Sequence, residues 1–440
     1  MQEQSFLDPI RVGICGFGTV GSGTFNVLAR NSRDIAARVG RDVIVTHIGA
    51  RRDNPRCDTG ATRFSRDVFA VVRDPEVDIV VELIGGCDTA RELVMEAIAA
   101  GKHVVTANKA LIAQHGNEIF AAASARGVTV AFEAAVGGGI PIIKAIREGL
   151  AANRIDAIFG IVNGTCNFIL SAMSDEGGDF GAVLAEAQRL GYAEADPSFD
   201  VDGIDAAHKL TILAALAFGI PLQFAKVHVE GIRQVSREDV AFAARLGYRI
   251  KHLGIARAQK HGIELRVHPA FVPARAPLAN VNGVMNGVMV RGDAAGPVLL
   301  SGAGAGAEPT ASSVVADLVD VVRALTSDPG NRVPHLAFQP ETLEDQPVLD
   351  IADTETAYYL RLHVADEPGV LADVTRILAD LAISIEAILQ LDRADDAPTV
   401  PVVILTQVVK ERAMNAAIAR IEALSAVRAP VNRIRVEPLA

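Results

Sequence analysis

The sequence predicts an α/β protein built from three parts. Buried-type strands alternate with helical segments over residues 1–138, which predicts a doubly wound parallel sheet covered on both faces. Residues 139–307 mix helices with strand-like runs, as an α+β unit does. Residues 356–440 follow the order strand, helix, strand, strand, helix, strand of a ferredoxin-like unit. Between the last two parts, residues 327–355 are rich in Pro, Asp and Glu and are predicted to be a linker.

The composition excludes several classes of protein. Half of the 440 residues are hydrophobic, 22% are charged and the mean hydropathy is +0.27, which excludes an intrinsically disordered chain. The net charge of −11 argues against nucleic acid as a partner. The longest apolar stretch, residues 210–222, is broken by Gly and Pro and is too short to cross a bilayer. No signal peptide pattern opens the chain, so we expect a cytoplasmic protein.

The four cysteines predict neither a disulfide framework nor a zinc site, because they lie far apart and form no CxxC pair. Cys15 and Cys87 both fall near predicted strand ends, so one alternative is that the fold brings them together. Ordinary buried thiols are the simpler interpretation.

The first strand leads into a glycine-rich turn. Residues 10–16 are apolar, GFGTVG follows at 16–21, and a helical segment comes next. Glycines in this place permit a tight turn and let a pyrophosphate reach the helix N-terminus, as in Rossmann-type dinucleotide-binding domains. The alternative is that they only allow close packing of helix on sheet. We also expect a helix near residues 308–326 to pack back on this domain.

The second strand ends in a way that favours NADP. NAD-preferring folds usually carry an acid there for the ribose 2′-hydroxyl, whereas this strand ends with Arg51 and Arg52. Guanidinium groups suit a 2′-phosphate. Two alternatives stay open: the arginines are simply solvated, or Asp53 is the acid and the strand end is misplaced by two residues.

Lys109 opens a helix that Asn108 is predicted to cap. A cation in the first turn opposes the helix dipole, and the position follows the carboxyl end of a parallel strand, where ligands of open α/β sheets bind. Lys109 is therefore a candidate functional residue. The alternative is an exposed lysine that tolerates the dipole.

The densest polar cluster lies at residues 191–210, where five carboxylates precede Lys209. Asp205 and Lys209 are four residues apart, so they share a helix face, and a lysine held charged can protonate an alkoxide. The other acids, among them Glu194, can hold a substrate amino group. The alternatives are an ordinary surface ion pair between Asp205 and Lys209 and an acidic loop, which could serve as a cation site. His208 points elsewhere on the helix and is predicted to be buried.

The chain resembles the homoserine dehydrogenases. The run AQRLGYAEADPSFDVDGIDAAHK at 187–209 fits their signature, and the family's other motifs occur in the same order. They are GFGTVG at 16–21, TANKALIA at 106–113, FEAAVGGGIP at 132–141, NGTCNFIL at 163–170 and SGAGAGAEPTASSVVADL at 301–318. The resemblance covers about residues 10–325. Residues 365–375, ADEPGVLADVT, resemble the ligand loop of ACT domains.

The resemblance implies roles for particular residues. Lys209 would donate the proton to the carbonyl oxygen, Lys109 would be a second lysine of the catalytic site, and Glu194 and Asp205 would bind homoserine. The implied cofactor residues are Gly16, Phe17, Gly18, Thr19, Val20, Gly21, Arg51, Arg52, Thr106, Lys109, Gly191 and Gly306. The implied site for a monovalent cation, usually sodium, comprises Glu133, Val136, Gly138 and Ile140.

The implied activity is the reversible NAD(P)H-dependent reduction of L-aspartate 4-semialdehyde to L-homoserine, a step toward threonine, isoleucine and methionine. L-Threonine is the implied effector, received near Asp366 and Gly369 where the chain turns into a helix. ACT units often pair with a second copy, so we expect a homodimer or homotetramer. The alternatives are an ACT unit that only assembles subunits, a different NADP oxidoreductase of a small amino or hydroxy acid, and a non-catalytic ligand sensor.

Overall fold

The computed structural model describes residues 8–54, 57–325, 334–338, 342–390 and 399–439. The strands are β1 Ile10–Cys15, β2 Val43–Gly49, β3 Arg63–Ser65, β4 Ile79–Glu82, β5 His103–Thr106, β6 Val130–Ala131, β7 Ile155–Ile161, β8 His228–Val229, β9 Tyr248–Gln259, β10 Gly262–Pro273, β11 Met285–Gly292, β12 Gly296–Ala303, β13 Glu355–Val364, β14 Ile385–Gln390, β15 Val400–Thr406, β16 Val409–Lys410 and β17 Asn432–Val436.

The α-helices are α1 Thr19–Arg30, α2 Ser32–Val39, α3 Phe69–Arg73, α4 Asp88–Ala99, α5 Lys109–Arg126, α6 Ile142–Lys144, α7 Gly164–Glu176, α8 Phe180–Arg189, α9 Ser198–Val201, α10 Ile204–Phe218, α11 Arg237–Arg245, α12 Ala307–Leu325, α13 Val370–Asp380 and α14 Glu411–Glu422. In the central part the sequence predicts helices over residues 180–190, 205–218 and 237–246, and α8, α10 and α11 agree with these ranges to within one residue at each end. No helix in the described ranges is long and apolar enough to span a membrane.

The chain divides into two compact units. The first contains residues 1–164, 207–227 and 285–346, and the second contains residues 165–206, 228–284 and 347–440. The predicted boundaries near 138 and 307 are therefore not where the compact units separate.

The first unit contains the predicted parallel sheet. Its strand order is β3-β2-β1-β4-β5-β6 and every pairing in it is parallel. The order reverses at β1, so β1 and β4 have adjacent carboxyl ends, and ligands of open α/β sheets bind at such a switch point. The doubly wound fold predicted from the sequence is confirmed. In the same unit, β11 pairs with β12 and with β7 in antiparallel fashion.

Helix α12 packs against the parallel-sheet domain, as predicted. Ala311, Val314 and Leu318 share a buried core cluster with Val12 and Val27 of that domain. The contact is close because a Cβ at Gly23 of α1 would lie 2.7 Å from the carbonyl oxygen of Ala307. The absence of a side chain at residue 23 thus brings the start of α12 against α1.

The second unit contains the predicted βαββαβ fold. Strands β17, β13, β15 and β14 lie in that order with antiparallel pairing, and α13 and α14 accompany them. Successive side chains of a strand point to opposite faces. Tyr358 and Leu360 of β13 accordingly pack in a cluster with Val374 and Met414 of the two helices.

The opposite face of this sheet belongs to a different core. Tyr359, Val403 and Ile434 pack with Ile169 and Phe271, which come from the middle of the sequence. Strand β10 also pairs in parallel with β17, which extends the C-terminal sheet into the β9–β10 hairpin. The C-terminal unit and the middle segment of the chain therefore share one core.

Candidate active site

The glycine-rich turn has the geometry that its sequence predicts. Gly16 has φ +99°, and a Cβ there would lie 2.5 Å from the carbonyl oxygen of Leu83. A Cβ at Gly21 would lie 2.1 Å from the carbonyl oxygen of Gly16. Gly18 is the N-cap of α1 and accepts a 2.8 Å hydrogen bond from the hydroxyl of Ser22. Close backbone approach at the amino end of a helix therefore requires glycine at residues 16 and 21.

A cavity of about 880 Å³ opens over this turn. Of the predicted cofactor residues, those that line it are Gly16, Phe17, Gly18, Thr19, Arg51 and Arg52. Val20 and Gly21 follow in the first turn of α1, and Gly306 precedes Ala307, which also lines the cavity. Gly191 belongs to the second unit. The cavity thus has the size and the helix N-terminus that a dinucleotide needs.

The end of β2 bears on one open point of the sequence. The strand ends at Gly49, and Arg51 and Arg52 follow after Ala50. Asp53 also lines the cavity, but its carboxylate accepts a 2.7 Å hydrogen bond from Arg66. That carboxylate therefore already has a cationic partner.

Lys109 is the first residue of α5, as predicted. The side chain of Asn108 caps the helix by accepting from the backbone N–H of Leu111 at 3.1 Å. The backbone N–H of Asn108 donates in turn to the hydroxyl of Thr106 at 2.9 Å. That hydroxyl is buried and donates to Glu82, so the side chain of Thr106 is already engaged within the protein.

Lys209 is the last residue of the sequence signature, and its amine points into the protein. The side chain is nearly buried, and its Nζ donates a 2.6 Å hydrogen bond to the carbonyl oxygen of Val162, just after β7. A buried ammonium that donates to a carbonyl has its orientation fixed. The preceding residue, His208, packs its ring on Phe224 at 4.3 Å, and the predicted burial of His208 is confirmed.

The acidic segment before Lys209 divides into structural acids and candidate ligands. Asp200 accepts from the hydroxyl of Thr165 at 3.3 Å, and Asp202 pairs with Arg233 at 2.5 Å. Asp196 accepts from the backbone N–H of Ser198. These three acids stabilise the turns of the segment.

The two predicted substrate residues, Glu194 and Asp205, also belong to the second unit. Glu194 is exposed, whereas Asp205 is buried in the first turn of α10. Their different exposure means that only Glu194 has its carboxylate largely open to solvent in this structure.

The predicted cation segment is buried and rich in oxygen donors. Both carboxylate oxygens of Glu133 accept from backbone N–H groups, those of Ile143 at 2.9 Å and Lys144 at 2.8 Å. Burial raises the pKa of Glu133 to about 7, while the two backbone hydrogen bonds and the charges of Arg147 and Lys144 oppose that rise. Gly138, at φ +56°, directs its carbonyl oxygen to the hydroxyl of Ser313 at 2.6 Å.

The segment carries oxygen donors of the kind that a hard monovalent cation takes, a carboxylate and the carbonyl groups of Val136, Gly138 and Ile140. The carbonyl groups of Gly138 and Ile140 also accept hydrogen bonds within the protein, from Ser313 and from the backbone N–H of Ile142. Among the described residues, no cluster of three or more His, Cys, Asp or Glu side chains is placed to hold a metal. A cation here would thus depend largely on backbone oxygens.

The cysteines are free thiols. Burial raises the pKa of Cys15, and Glu82 and Asp67 add to that rise. Burial also raises the pKa values of Cys57 and Cys87. A raised pKa disfavours the reactive thiolate, which supports the interpretation as ordinary thiols.

The loop predicted to receive an effector borders a small cavity in the second unit. Gly369 is the N-cap of α13 with φ +98°, and the cavity of about 190 Å³ is lined by Asp366, Gly369, Gln390 and neighbouring residues. The two predicted effector residues are thus brought to one cleft.

Sequence reasoning missed Glu82, the last residue of β4. It is fully buried, and its carboxylate accepts from Thr106 at 2.6 Å and from the backbone N–H of Ile84 at 2.9 Å. Its only signal in the sequence is a charged residue inside the apolar run IVVELI. A buried acid at the carboxyl end of a parallel strand is a candidate functional position.

Three family models match the chain. One described as homoserine dehydrogenase matches residues 141–319, its NAD-binding domain matches residues 16–133, and an ACT domain matches residues 358–425. The recognition of the ACT unit and of the NAD-binding domain from the sequence is confirmed.

Known proteins resemble this chain in sequence and in structure over most of its length or nearly all of it. Homoserine dehydrogenase of Pseudomonas aeruginosa is 64% identical over 433 residues, which is 98% of this chain and 100% of that protein. A crystal structure of a homoserine dehydrogenase from Thiobacillus denitrificans matches with a TM-score of 0.94 at 61% identity, covering 99% of this chain and 100% of that one. A hyperthermophilic archaeal homoserine dehydrogenase in complex with NADPH matches with a TM-score of 0.61 at 30% identity, covering 73% of this chain and 99% of that one.

The parallel sheet with its glycine turn, the buried lysine of the signature run and the full-length likeness agree with one another. The chain belongs to the homoserine dehydrogenase family, whose members are oxidoreductases acting on a CH–OH group.

Proposed function

We propose that the chain reduces L-aspartate 4-semialdehyde reversibly to L-homoserine and that Lys209 protonates the carbonyl oxygen. The observation that supports this role is the buried Nζ of Lys209, which is held at 2.6 Å by the carbonyl of Val162. An ammonium fixed in this way meets growing negative charge on oxygen without reorganisation. A bound nicotinamide cofactor supplies the hydride.

The other residues bind and orient. Lys109, at the start of α5, places a second cation near the carboxyl ends of the parallel strands. Glu194 and Asp205 are proposed to bind the ammonium group of homoserine. A monovalent cation, sodium, is proposed to bind to Glu133 and to the carbonyl groups of Val136, Gly138 and Ile140. It would stabilise this turn without taking part in the chemistry.

Substitution of Lys209 tests the mechanism. Lys209→Met should lower kcat by at least about 100-fold, which is the scale for a general acid. Lys226→Met is the matched control, because Lys226 is exposed in the same unit and should leave kcat unchanged. Homoserine-dependent reduction of NADP measures both variants, and a folded Lys209→Met protein with ordinary turnover would exclude the proposed role.

NADP is proposed as the preferred cofactor. Arg51 and Arg52 line the cavity after β2, and the carboxylate of Asp53 is paired with Arg66. Arg51→Ala should therefore raise the KM for NADPH by about 10-fold, in proportion to the loss of a charged hydrogen bond, and leave the KM for NADH nearly unchanged. Equal changes in both constants would contradict the assignment.

L-Threonine is proposed to inhibit the enzyme through the ACT cleft at Asp366 and Gly369. The C-terminal unit shares a core with residues 165–284, so deleting it would expose that core, and point variants are the appropriate test. Asp366→Ala should raise the threonine concentration for half-inhibition by about 10-fold. Asp373→Ala is the control, since Asp373 is an exposed acid in the first turn of α13, the helix that follows the cleft loop. Equal inhibition of Asp366→Ala and the unmodified enzyme would remove this cleft from the proposal.

A homodimer or homotetramer is proposed as the assembly. Strand β14 is the last strand of its sheet, and Ile388 on it is 41% exposed, as expected for an edge that a second copy can cover. Light scattering on the purified protein gives the mass directly. A monomer at micromolar concentration would contradict this assembly.

A further inference from the structure

Glu82 is a buried acid whose position no role described above explains. It ends β4, at the switch point of the parallel sheet, and its side chain is fully inaccessible to solvent. Burying a carboxylate costs several kcal/mol unless its oxygens are well satisfied. Such a residue is retained only where its hydrogen bonds determine something the fold needs.

The groups that satisfy Glu82 are neutral donors from two separate segments. The hydroxyl of Thr106 donates to Oε2 at 2.6 Å, and the backbone N–H of Ile84 donates to Oε1 at 2.9 Å. Burial raises the pKa of Glu82, while hydrogen bonds from Thr106, Ile84, Gly85 and Asn108 oppose that rise. The carboxylate therefore acts as a common acceptor between the loop after β4 and the loop after β5.

The first of these segments forms part of the cofactor cavity. Leu83 and Ile84 line it, and the peptide between them lies against Gly16, where a Cβ would be 2.9 Å from the backbone nitrogen of Ile84. The backbone N–H of Leu83 also donates to the carbonyl of Cys15 at 2.8 Å. Glu82 thus fixes the part of the cavity wall that lies against the glycine turn.

The second segment carries Lys109. Thr106 accepts from the backbone N–H of Asn108, and Asn108 caps α5 through Leu111. The amide of Asn108 also donates to the carbonyl of Gly86 at 2.6 Å, which ties the two segments together a second time. The backbone of Lys109 is therefore held between a cap and a hydrogen-bond chain that ends on Glu82.

We propose that Glu82 is a positioning residue that sets Lys109 and the Leu83–Ile84 wall of the cofactor cavity in one fixed relation. The inference rests on the proposed role of Lys109 in the catalytic site. Glu82 acts through Thr106 and Asn108 and does not itself touch the reacting atoms. A misplacement of about 1 Å at a reacting centre costs up to about 100-fold in rate, so such an anchor affects turnover.

An amide in place of the carboxylate tests the proposal with little change in shape. An ionised carboxylate only accepts, whereas the NH₂ group of glutamine would face donors. Glu82→Gln should lower kcat at least about 10-fold, because Lys109 is displaced, and should raise the Kd for NADPH, measured by fluorescence titration, by a smaller factor of about threefold, because the Leu83–Ile84 wall loses one hydrogen bond. Thr106→Val should reproduce the loss of kcat, and Thr106→Ser, which keeps the hydroxyl, should restore most of it.

Asp74→Asn is the matched control. Asp74 is another buried carboxylate of this unit, and it accepts from the backbone N–H of Glu76 at 3.0 Å beside His47. We expect Asp74→Asn to lower the melting temperature but to leave kcat of the folded protein unchanged. If Glu82→Gln behaves like Asp74→Asn, the role of Glu82 is structural and the proposal is wrong.

A double variant separates this proposal from the one on which it rests. If Lys109→Met retains full turnover, the proposed role of Lys109 fails, whatever Glu82 does. If Lys109→Met is impaired and adding Glu82→Gln lowers kcat by no more than about twofold further, Glu82 acts through Lys109 as proposed. Losses that multiply independently would overturn the positioning role while leaving the role of Lys109 intact.

Discussion

Arg435 is the residue whose removal should most disturb the second unit. Its guanidinium is almost fully buried in β17 and donates to Glu411 at 2.6 and 2.8 Å. It also donates to Glu230 at 2.8 and 3.0 Å. Glu411 belongs to the ACT unit and Glu230 to the middle of the chain, so one cation joins the two segments. The pKa of Glu411 is lowered by Arg435 and Arg433 despite its burial.

The perturbation is Arg435→Met, which preserves much of the volume and removes the charge. Removing one partner of a buried ion pair costs about 3–5 kcal/mol when the opposite charge is left uncompensated, whereas here Arg433 stays 2.8 Å from Glu411 and compensates part of that charge. Glu411 is buried, but the side chain of Glu230 is 34% exposed and water can solvate part of it. We therefore expect the lower end of that range, about 3 kcal/mol of unfolding free energy.

The sequence provides an assay that reports on this unit alone. The chain has no Trp and four Tyr, and Tyr192, Tyr248, Tyr358 and Tyr359 all lie in the second unit. Near-ultraviolet circular dichroism during urea titration therefore follows this unit. Binding of NADPH, whose proposed cavity lies in the first unit, shows in the same samples whether that unit stays folded.

The control is Arg189→Met, which breaks an exposed pair with Glu186 whose side chains are 68% and 44% exposed. It should cost less than about 1 kcal/mol. Adding Glu411→Gln to Arg435→Met should recover part of the lost unfolding free energy, because it removes the buried negative charge of Glu411 that has lost Arg435 as a partner. A loss below about 1 kcal/mol for Arg435→Met would refute the view that a buried ion cluster fastens the ACT unit to the middle segment.

Two further predictions follow from backbone geometry and from buried histidine. Gly16→Ala should weaken NADPH binding at least about 10-fold, because a Cβ at residue 16 would lie 2.5 Å from the carbonyl oxygen of Leu83. Gly40→Ala is the control, because Gly40 has φ +79° but open space around it, and it should lower only the stability, by about 1 kcal/mol. Similar Kd values of the two variants for NADPH would contradict this prediction. Burial lowers the pKa of His268 well below its usual value of 6.5, and Arg435 and Arg266 add to that effect, so His268 stays neutral in the folded protein while the unfolded chain binds a proton. Stability should therefore fall as the pH drops below about 6.5, by up to about 1.4 kcal/mol per pH unit, and His268→Gln, which can still accept from Arg266, should reduce that slope in urea titrations at several pH values; an unchanged slope would exclude His268 as its source.

Local signals predicted the local parts of the site. Asn108 was identified as a cap from its neighbours alone, and the glycines of residues 16–21 were identified from their position between a strand and a helix. The structure confirms both because capping and backbone conformation depend on residues within one turn. The roles of the signature residues, including Lys209, came from family resemblance and await the tests above.

The acidic segment shows what local reasoning leaves undecided. The five carboxylates of this segment cannot be told apart by role from the sequence. In the structure, Asp200 and Asp202 bind to Thr165 and Arg233, which lie 35 and 31 residues away along the chain. Glu82 was missed for a related reason, since its partner Thr106 is 24 residues further along the chain. Partners at such separations meet only through the fold.

The sequence by itself determined the parallel sheet, the cofactor turn, the cap of α5 and the order of elements in the ACT unit, because hydrophobic period and turn chemistry act over a few residues. Only the tertiary structure decided that β17 pairs with β10, that the ACT sheet shares its core with residues 165–284, and that the amine of Lys209 turns inward to Val162. These depend on contacts between distant segments, whose pairing is chosen by the burial of whole faces and not by any local pattern.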